Sequence, residues 1–360
     1  MELQIQKIYN ERYKSTVCNL IPSLFPKVTI PTSAPSYCVK YTHNLPTTAA
    51  AADESGLVYI IGITMGDCAL TETFQAHHNS IFDINWTLDN SKLLTASGDH
   101  TGAVWDIEMQ VPLVLAGHKG TVKCIKNSPL SSNLVCTASR DGLINLWDLR
   151  VPSEELQPAL SIANKVNSRK KLTRGLTGFE FVNSGLVIVS AESSVSSLRF
   201  WDLRKLEGSI VKSKSKLVCL AEIDPRNQLE NFSRSAEGSH GNSWVYFQEQ
   251  TNSLIVSSLN NCVYVYQNLN NLEKEPVCLG GANSNFYVRS CMGPSGLVAS
   301  GSTEGDLCIW EVDSASFPQK FSYGVSSDMN AVDWSEGSEL FLATSNDNNS
   351  VVFWDFADVV

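Results

Sequence analysis

The sequence contains the residue types of a serine hydrolase triad. His118, Ser139 and Asp141 occur in this order, and Trp147 follows them. In a hydrolase, the histidine takes the proton of the serine hydroxyl while the aspartate orients the imidazole ring. The same residue types can instead form a buried hydrogen-bonded chain from carboxylate to imidazole, to hydroxyl, to indole N–H. The two alternatives differ in whether the set occurs once or is repeated.

A second copy of the set favours the structural alternative. His78, Ser97, Asp99 and Trp105 follow the same order, and their tryptophan lies 42 residues before Trp147. A repeated fold needs the same buried network in each unit, whereas catalysis needs only one site. We therefore predict a structural network and no enzyme activity, because H-E-x-x-H, G-x-S-x-G and phosphate-binding glycine motifs are also absent from the sequence.

The elements around these residues form a repeat that ends in a short apolar strand. Six copies end at Val104-Trp105-Asp106, Leu146-Trp147-Asp148, Phe200-Trp201-Asp202, Val263-Tyr264-Val265-Tyr266, Ile309-Trp310-Glu311 and Phe353-Trp354-Asp355. Three of the intervals between copies are 42, 44 and 44 residues, close to the length of a four-stranded WD-repeat blade. Two longer intervals place extra residues in polar stretches, 164–174 and 226–242, which we predict to be loops.

The ends of the chain complete the predicted ring. A degenerate blade without tryptophan is expected within Ser36 to Leu70, and Ile81 to Trp86 and Ala331 to Trp334 are predicted inner strands. Only six residues follow Trp354, so a strand from residues 3–30 should close the last blade, with Ile5 to Tyr9 or Val28 to Ile30 as candidates. The fold class is therefore all-β, a seven-bladed WD-repeat β-propeller (residues 36–360) closed by an N-terminal strand from a tail of residues 1–35.

Composition limits the functions that the chain can have. The formal net charge of −10 argues against direct nucleic-acid binding, since such binding depends on lysine and arginine. The ten cysteines contain no C-x-x-C pair, so we expect buried free thiols in a reducing compartment and neither a metal site nor a cofactor. No apolar run reaches the roughly 20 residues of a membrane helix, and no secretory signal precedes the repeat. We expect a cytosolic or nuclear protein that binds other proteins and no membrane.

Two successive repeats end in Trp-Asp-x-Arg. The residues after the tryptophans are Asp148-Leu149-Arg150 and Asp202-Leu203-Arg204. This pattern resembles the substrate receptors of the cullin-4 RING ubiquitin ligase. The resemblance implies that Asp148, Arg150, Asp202 and Arg204 bind the damaged-DNA-binding adaptor propeller of that ligase.

Longer stretches resemble the denticleless type of these receptors. They are Ala76 to Trp86, Thr95 to Asp99 and Asn283 to Ser290, and the similarity extends over roughly residues 50–356. The resemblance implies a receptor in the nucleus, with the cytoplasm as a second location. It would recruit replication-licensing factor and other inhibitors of DNA synthesis, held on the DNA sliding clamp, for ubiquitination. Animal members have a long tail after the propeller, so we expect a compact or truncated member.

The residues that face the substrate are predicted with two alternatives. The candidates are Asp83, Asn285, Tyr287 and Arg289, with bracing of neighbouring blades as the open alternative. Substrates of these receptors carry a basic residue beside the clamp-binding motif, which an acidic protein would suit.

Two further alternatives stay open at this point. The chain could be a propeller scaffold in another nuclear complex, for chromatin or RNA processing, in which case Arg150 and Arg204 would be ordinary rim charges. The basic insertion Ser168 to Lys171, with Lys165 and Arg174, suits a nuclear import signal or a solvated loop.

Overall fold

The architecture is nearly all β-strand. The structure is a computed structural model and describes residues 24–43, 47–64, 67–153, 155–167, 172–206, 219–228, 241–272, 274–282, 284, 287–293, 296–313, 317–335 and 342–356. Seven antiparallel four-stranded sheets form the blades of a propeller, as the repeat predicted.

The first four blades have the following strands. Blade 1 contains β2 (Ser36–Tyr41), β3 (Thr48–Asp53), β4 (Leu57–Thr64) and β5 (Asp67–Gln75); blade 2 contains β6 (Ile81–Trp86), β7 (Lys92–Ser97), β8 (Thr101–Asp106) and β9 (Val111–Ala116); blade 3 contains β10 (Val122–Ser128), β11 (Ser131–Ser139), β12 (Leu143–Asp148) and β14 (Leu160–Ala163); blade 4 contains β17 (Leu176–Val182), β18 (Val187–Glu192), β19 (Leu198–Asp202) and β20 (Cys219–Ile223).

The last three blades complete the ring. Blade 5 contains β21 (Asn242–Gln248), β22 (Ser253–Ser258), β23 (Cys262–Tyr266) and β24 (Val277–Gly280); blade 6 contains β25 (Ser290–Met292), β26 (Leu297–Ser300), β27 (Asp306–Glu311) and β28 (Gln319–Ser322); blade 7 contains β29 (Met329–Trp334), β30 (Leu342–Asn346), β31 (Ser350–Phe356) and β1 (Leu24–Pro31). The first strand of each blade contacts the first strand of the next blade, so these seven inner strands surround a central channel.

The ring closes through β1. This strand pairs antiparallel with β31 in a register that places Ile30 opposite Val351 and Leu24 opposite Phe356. The candidate Val28 to Ile30 is therefore confirmed, while Ile5 to Tyr9 lies outside the described residues. Pairing the first strand with the last satisfies two sheet edges that would otherwise expose unpaired backbone groups.

The cores lie between neighbouring blades. Apolar side chains on the two faces of each sheet pack against the next sheet, and the repeat tryptophans Trp147, Trp310 and Trp354 are at most 1% exposed. Between blades 2 and 3, for example, Val104 packs in one cluster with Trp147. Because every blade supplies both sides of such a layer, the ring is one continuous structure rather than a set of independent sheets.

The structure adds small elements that the repeat does not contain. The insertion at 164–174, predicted as a loop, includes a two-stranded sheet of β15 (Lys165–Asn167) and β16 (Leu172–Thr173). In addition, β13 (Glu155–Leu156) adds a fifth strand to blade 2 by pairing parallel with β9. Two single 3₁₀ turns follow blade-4 strands, at Leu203–Leu206 and Pro225–Gln228.

The buried network of blade 3 differs from its prediction in the hydroxyl group. His118 Nδ1 lies 3.0 Å from Asp141 Oδ2, but His118 Nε2 lies 2.7 Å from Thr137 Oγ1, and Trp147 Nε1 donates to the same hydroxyl at 2.8 Å. Ser139 lies two residues further along the same strand and donates instead to the Gly120 carbonyl. The prediction that Ser139 links histidine to tryptophan is therefore wrong.

The blade-2 network requires the same correction and a second one. Thr95 accepts the hydrogen bond of Trp105 Nε1 at 3.1 Å, whereas the Ser97 hydroxyl donates to the carbonyl of Asn79 and accepts the backbone N–H of Asp99. The histidine that lies 2.8 Å from Asp99 is His77, whereas the predicted His78 is exposed. The reason is local, because the backbone N–H of His77 donates to the carbonyl of Gly56, which turns residue 77 and not residue 78 inward.

These networks hold their carboxylates ionised. Burial alone would raise the pKa of Asp99, yet hydrogen bonds from His77 and Thr101 lower it to about 2. The pKa of Asp141 is likewise lowered, against the effect of burial, by His118 and the backbone N–H of Lys119. No described nucleophile stands beside these histidines in an open cleft, since His118 is 8% exposed and its hydroxyl partner is fully buried.

Candidate functional site

Arg150 and Arg204 are exposed and occupy equivalent positions. Arg150 donates from Nε and Nη2 to Asp148 at 2.8 and 2.7 Å, and Arg204 donates in the same way to Asp202 at 2.9 and 2.8 Å. The arginine side chains are 68% and 60% exposed. Each aspartate therefore fixes its guanidinium group without burying it, and the Nη1 groups take no part in these pairs.

The two guanidinium groups lie on one face of the propeller. Arg150 is the second residue after β12, and Arg204 is the second residue after β19. Both strands are the third strand of their blade. Blades 3 and 4 are neighbours whose inner strands contact each other, so equivalent positions in them face the same side. We call the side at which the third strands end the arginine face.

A third Asp-x-Arg turn occurs where the sequence pattern lacked a tryptophan. Arg226 pairs with Asp224 through Nε and Nη2 at 3.3 and 3.2 Å, but its side chain is only 16% exposed. It follows β20, an outer strand that runs in the opposite direction to β19. This turn resembles the other two chemically, but it lies away from the arginine face.

Three ion pairs join different blades within the channel. They are Arg289 with Asp83 at 2.6 Å, Lys40 with Asp333 at 2.5 Å, and Lys126 with Glu180. Arg289 also donates to the carbonyl of Phe82, and Asp83 accepts the backbone N–H of Ile125 at 2.9 Å. The Arg289–Asp83 pair spans blades 6 and 2, so it braces the ring across its centre.

A small cavity opens above these pairs at the mouth of the channel. Its volume is about 20 Å³, and it is lined by Tyr37, Phe82, Lys123, Arg140, Thr177, Ser243, Trp244, Tyr287 and Arg289. The rings of Tyr37, Phe82 and Tyr287 stack on one another, with centroids 4.9 to 5.9 Å apart. We call this site the central pocket.

Strand irregularities direct side chains into the central pocket. In six blades the second residue of the inner strand lies at a shift in pairing register. In blades 1 to 5 these second residues are Tyr37, Phe82, Lys123, Thr177 and Ser243, all of which line the pocket. A β-bulge commonly re-aims a side chain next to a binding site. The repeated bulge therefore makes the pocket a property of the ring as a whole.

The predicted rim residues fall into three groups. Tyr287 and Arg289 line the central pocket, whereas Asp83 lies beneath it, 5% exposed and bound to Arg289. Asn285 lies outside the described residues. Sequence reasoning missed Lys123 and Trp244, and the signal that identifies the first is its place as second residue of an inner strand.

The two sites lie on opposite faces. The central pocket gathers residues at the starts of the inner strands, whereas Arg150 and Arg204 stand at the ends of third strands. Since neighbouring strands of a blade are antiparallel, a third strand runs parallel to the inner strand and ends on the opposite side from its start. A partner on the arginine face would therefore leave the pocket open.

Other kinds of site find no support among the described residues. Within these ranges no cluster of three histidine, cysteine or acidic side chains could hold a metal ion. No helix in the described part of the chain is long and apolar enough to cross a membrane. The nine cysteines that the structure describes carry free thiols.

Comparisons with known proteins agree with the fold. The model of the WD domain, G-beta repeat, matches residues 68–106 and 109–148. A denticleless protein homolog of Gallus gallus is 26% identical over 85% of this chain, and that of Homo sapiens is 26% identical over 86%. The protein lethal(2)denticleless of Drosophila melanogaster is 25% identical over 93% of the chain. The chain covers 45 to 46% of these three relatives, so it spans about half their length.

Proposed function

We propose that this WD-repeat propeller, which is similar to the denticleless proteins over most of its length, is a substrate receptor of a cullin-4 RING ubiquitin ligase. In this role it carries no catalytic cysteine and supplies proximity between a bound substrate and the ligase. Its adaptor-binding residues are Asp148, Arg150, Asp202 and Arg204. Its substrates are replication-licensing factor and other inhibitors of DNA synthesis held on the DNA sliding clamp, and its location is the nucleus.

The observation that carries the proposal is the pair of exposed guanidinium groups on the arginine face. Arginine is favoured in protein interfaces because its planar group can hold several hydrogen bonds at once. Asp148 and Asp202 fix the two groups before binding, so less side-chain entropy is lost when a partner arrives.

The test is the affinity of the purified chain for the adaptor propeller. We expect the double variant Arg150→Ala with Arg204→Ala to bind at least about tenfold more weakly, in line with the loss of buried arginine contacts in interfaces. The Arg→Lys double variant should lose most of the same affinity, since lysine keeps the charge but not the paired hydrogen bonds.

A matched control is Lys119→Ala. Lys119 is exposed and precedes the inner strand of blade 3, so it lies on the other face. Thermal unfolding of all variants checks that folding is intact. If wild-type chain fails to bind the adaptor, or if the arginine variants bind as well as wild type, the chain is a scaffold of another complex.

A further inference from the structure

Lys123 is a cation without a paired carboxylate among the described residues of the inner strands. The inner strands and Arg289 supply four cations and three carboxylates, and each carboxylate is used by one of the three ion pairs described above. Lys123 is only 8% exposed, and among the described residues no carboxylate lies within ion-pair distance of its amine. A buried amine without a counter-ion is costly, so its presence requires an explanation.

The surroundings of the amine are cationic and aromatic. Lys123 Nζ lies 3.0 Å from the centroid of the Phe82 ring and 5.0 Å from that of Tyr287. Arg140 and Arg289 line the same cavity, and Arg289 Cζ lies 3.9 Å from the centroid of Trp244. The ring faces that could hold a basic group of a partner therefore already hold cations of the protein itself.

We infer that the central pocket binds a side-chain carboxylate of a protein partner, with Lys123 as its counter-ion and with Arg140 and Arg289 adding positive charge to the cavity. This inference deepens the proposed receptor function, on which the choice of a protein as the ligand rests. Asp83, which the sequence offered as a candidate for this rim, is already bound by Arg289 and by the backbone N–H of Ile125.

The size of the cavity supports a side-chain end as the ligand. A volume of about 20 Å³ holds little more than one water-sized group. The end of an aspartate or glutamate side chain can enter this space while its backbone stays outside. A phosphate group is larger and carries more charge, which makes a phosphopeptide the competing ligand in the test.

Binding of a carboxylate should depend on pH. Burial, and then the charges of Arg140 and Arg289, lower the pKa of Lys123 to about 6, while the ring faces of Phe82 and Tyr287 favour its protonated form. Burial, and then the acidic groups Glu54 and Asp347, raise the pKa of the neighbouring Tyr37 hydroxyl. A carboxylate binds the protonated amine more tightly than the neutral amine, so affinity should fall as the pH rises from 6 to 8.

The experiment follows the Lys123 side chain directly. The full chain is labelled with ¹³C at the lysine ε-carbon and titrated with three capped peptides, Ala-Ala-X-Ala-Ala, where X is Glu, Gln or phosphoserine. The Lys123 signal is assigned by its loss in Lys123→Met. We expect the Glu peptide to shift this signal at pH 6, to bind at least tenfold more tightly than the Gln peptide, and to weaken toward pH 8.

The variants separate this inference from the proposed function. Lys123→Met and Arg140→Gln should each weaken Glu-peptide binding at least tenfold, whereas Lys119→Met, which removes an exposed lysine of the same blade, should not. All three should bind the adaptor normally, because the arginine face is on the other side. Equal binding of the Glu and Gln peptides, binding of the phosphoserine peptide alone, or full Glu-peptide binding by Lys123→Met would each overturn the inference.

Discussion

Replacing Thr137 by valine tests whether one hydroxyl group holds the buried network of blade 3 together. Valine has nearly the same shape as threonine, so packing is kept and only the hydrogen bonds are lost. Thr137 Oγ1 lies 2.7 Å from His118 Nε2 and accepts the indole N–H of Trp147 at 2.8 Å. Both partners are buried, and the hydroxyl is fully buried with them.

The expected cost follows from the two groups left without a partner. A buried donor or acceptor without its hydrogen bond costs about 1–3 kcal/mol, so the variant should lose about 2–6 kcal/mol of unfolding free energy. For a chain of this length such a loss lowers the thermal midpoint by about 3–8 °C. Ser139→Ala is the matched comparison, because its hydroxyl supports only the turn at Gly120 and Asp141 and should cost about 1 kcal/mol.

The assay is thermal unfolding of both variants, followed by circular dichroism and by the fluorescence of the tryptophans. A network organised by Thr137 predicts a clearly larger loss for Thr137→Val than for Ser139→Ala. The reasoning is refuted if the two variants lose the same stability, or if Ser139→Ala is the more damaging change.

Three further predictions concern blade 2 and the channel. His77→Ala should lower the thermal midpoint by several degrees, whereas exposed His78→Ala should leave it unchanged; the reverse result would restore the sequence-based assignment. Because the folded-state pKa of Asp99 is lowered to about 2, the stability that this carboxylate contributes is complete above its unfolded pKa near 4 and is lost as the pH falls toward 2. In Asp99→Asn the unfolding free energy, measured by urea denaturation, should therefore depend less on pH between 4 and 2. The same pH dependence in variant and wild type would contradict the lowered pKa. Arg289→Met should cost about 3–5 kcal/mol because it leaves Asp83 charged and buried, and adding Asp83→Asn should recover much of that loss in a double-mutant cycle; strictly additive losses would contradict the pair.

Much of the fold was predictable because the repeat is visible as regularly spaced residue patterns in the sequence. Tryptophans at 42- and 44-residue intervals identified third strands, and one of the two predicted N-terminal segments, Val28 to Ile30, lies in the strand that pairs with β31. Such patterns depend on the residue types of single strands and on the number of residues between them, and both can be read from the sequence. The same counting gave Arg150 and Arg204 equivalent positions in neighbouring blades.

The buried networks show where counting was insufficient. Residue types indicated His118, Asp141 and Trp147, but the sequence offered two hydroxyl groups on one strand and two adjacent histidines. A useful signal was present, since Thr95, Thr137 and Thr344 each lie ten residues before the tryptophan whose N–H they accept. The structure was needed to show that this diagonal position between strands, rather than the turn, is where the hydroxyl reaches both partners.

The sequence by itself determined the blades, their order and the closure of the ring, because alternation and spacing act within a few strands. Only the tertiary structure decided what occupies the channel, since Asp83 and Arg289 are 206 residues apart and meet across the ring. It also decided that Lys123 lines a cavity together with two arginines, and that no carboxylate among the described residues forms an ion pair with its amine. Contacts between distant strands depend on how all seven blades close together, and no local pattern contains that information.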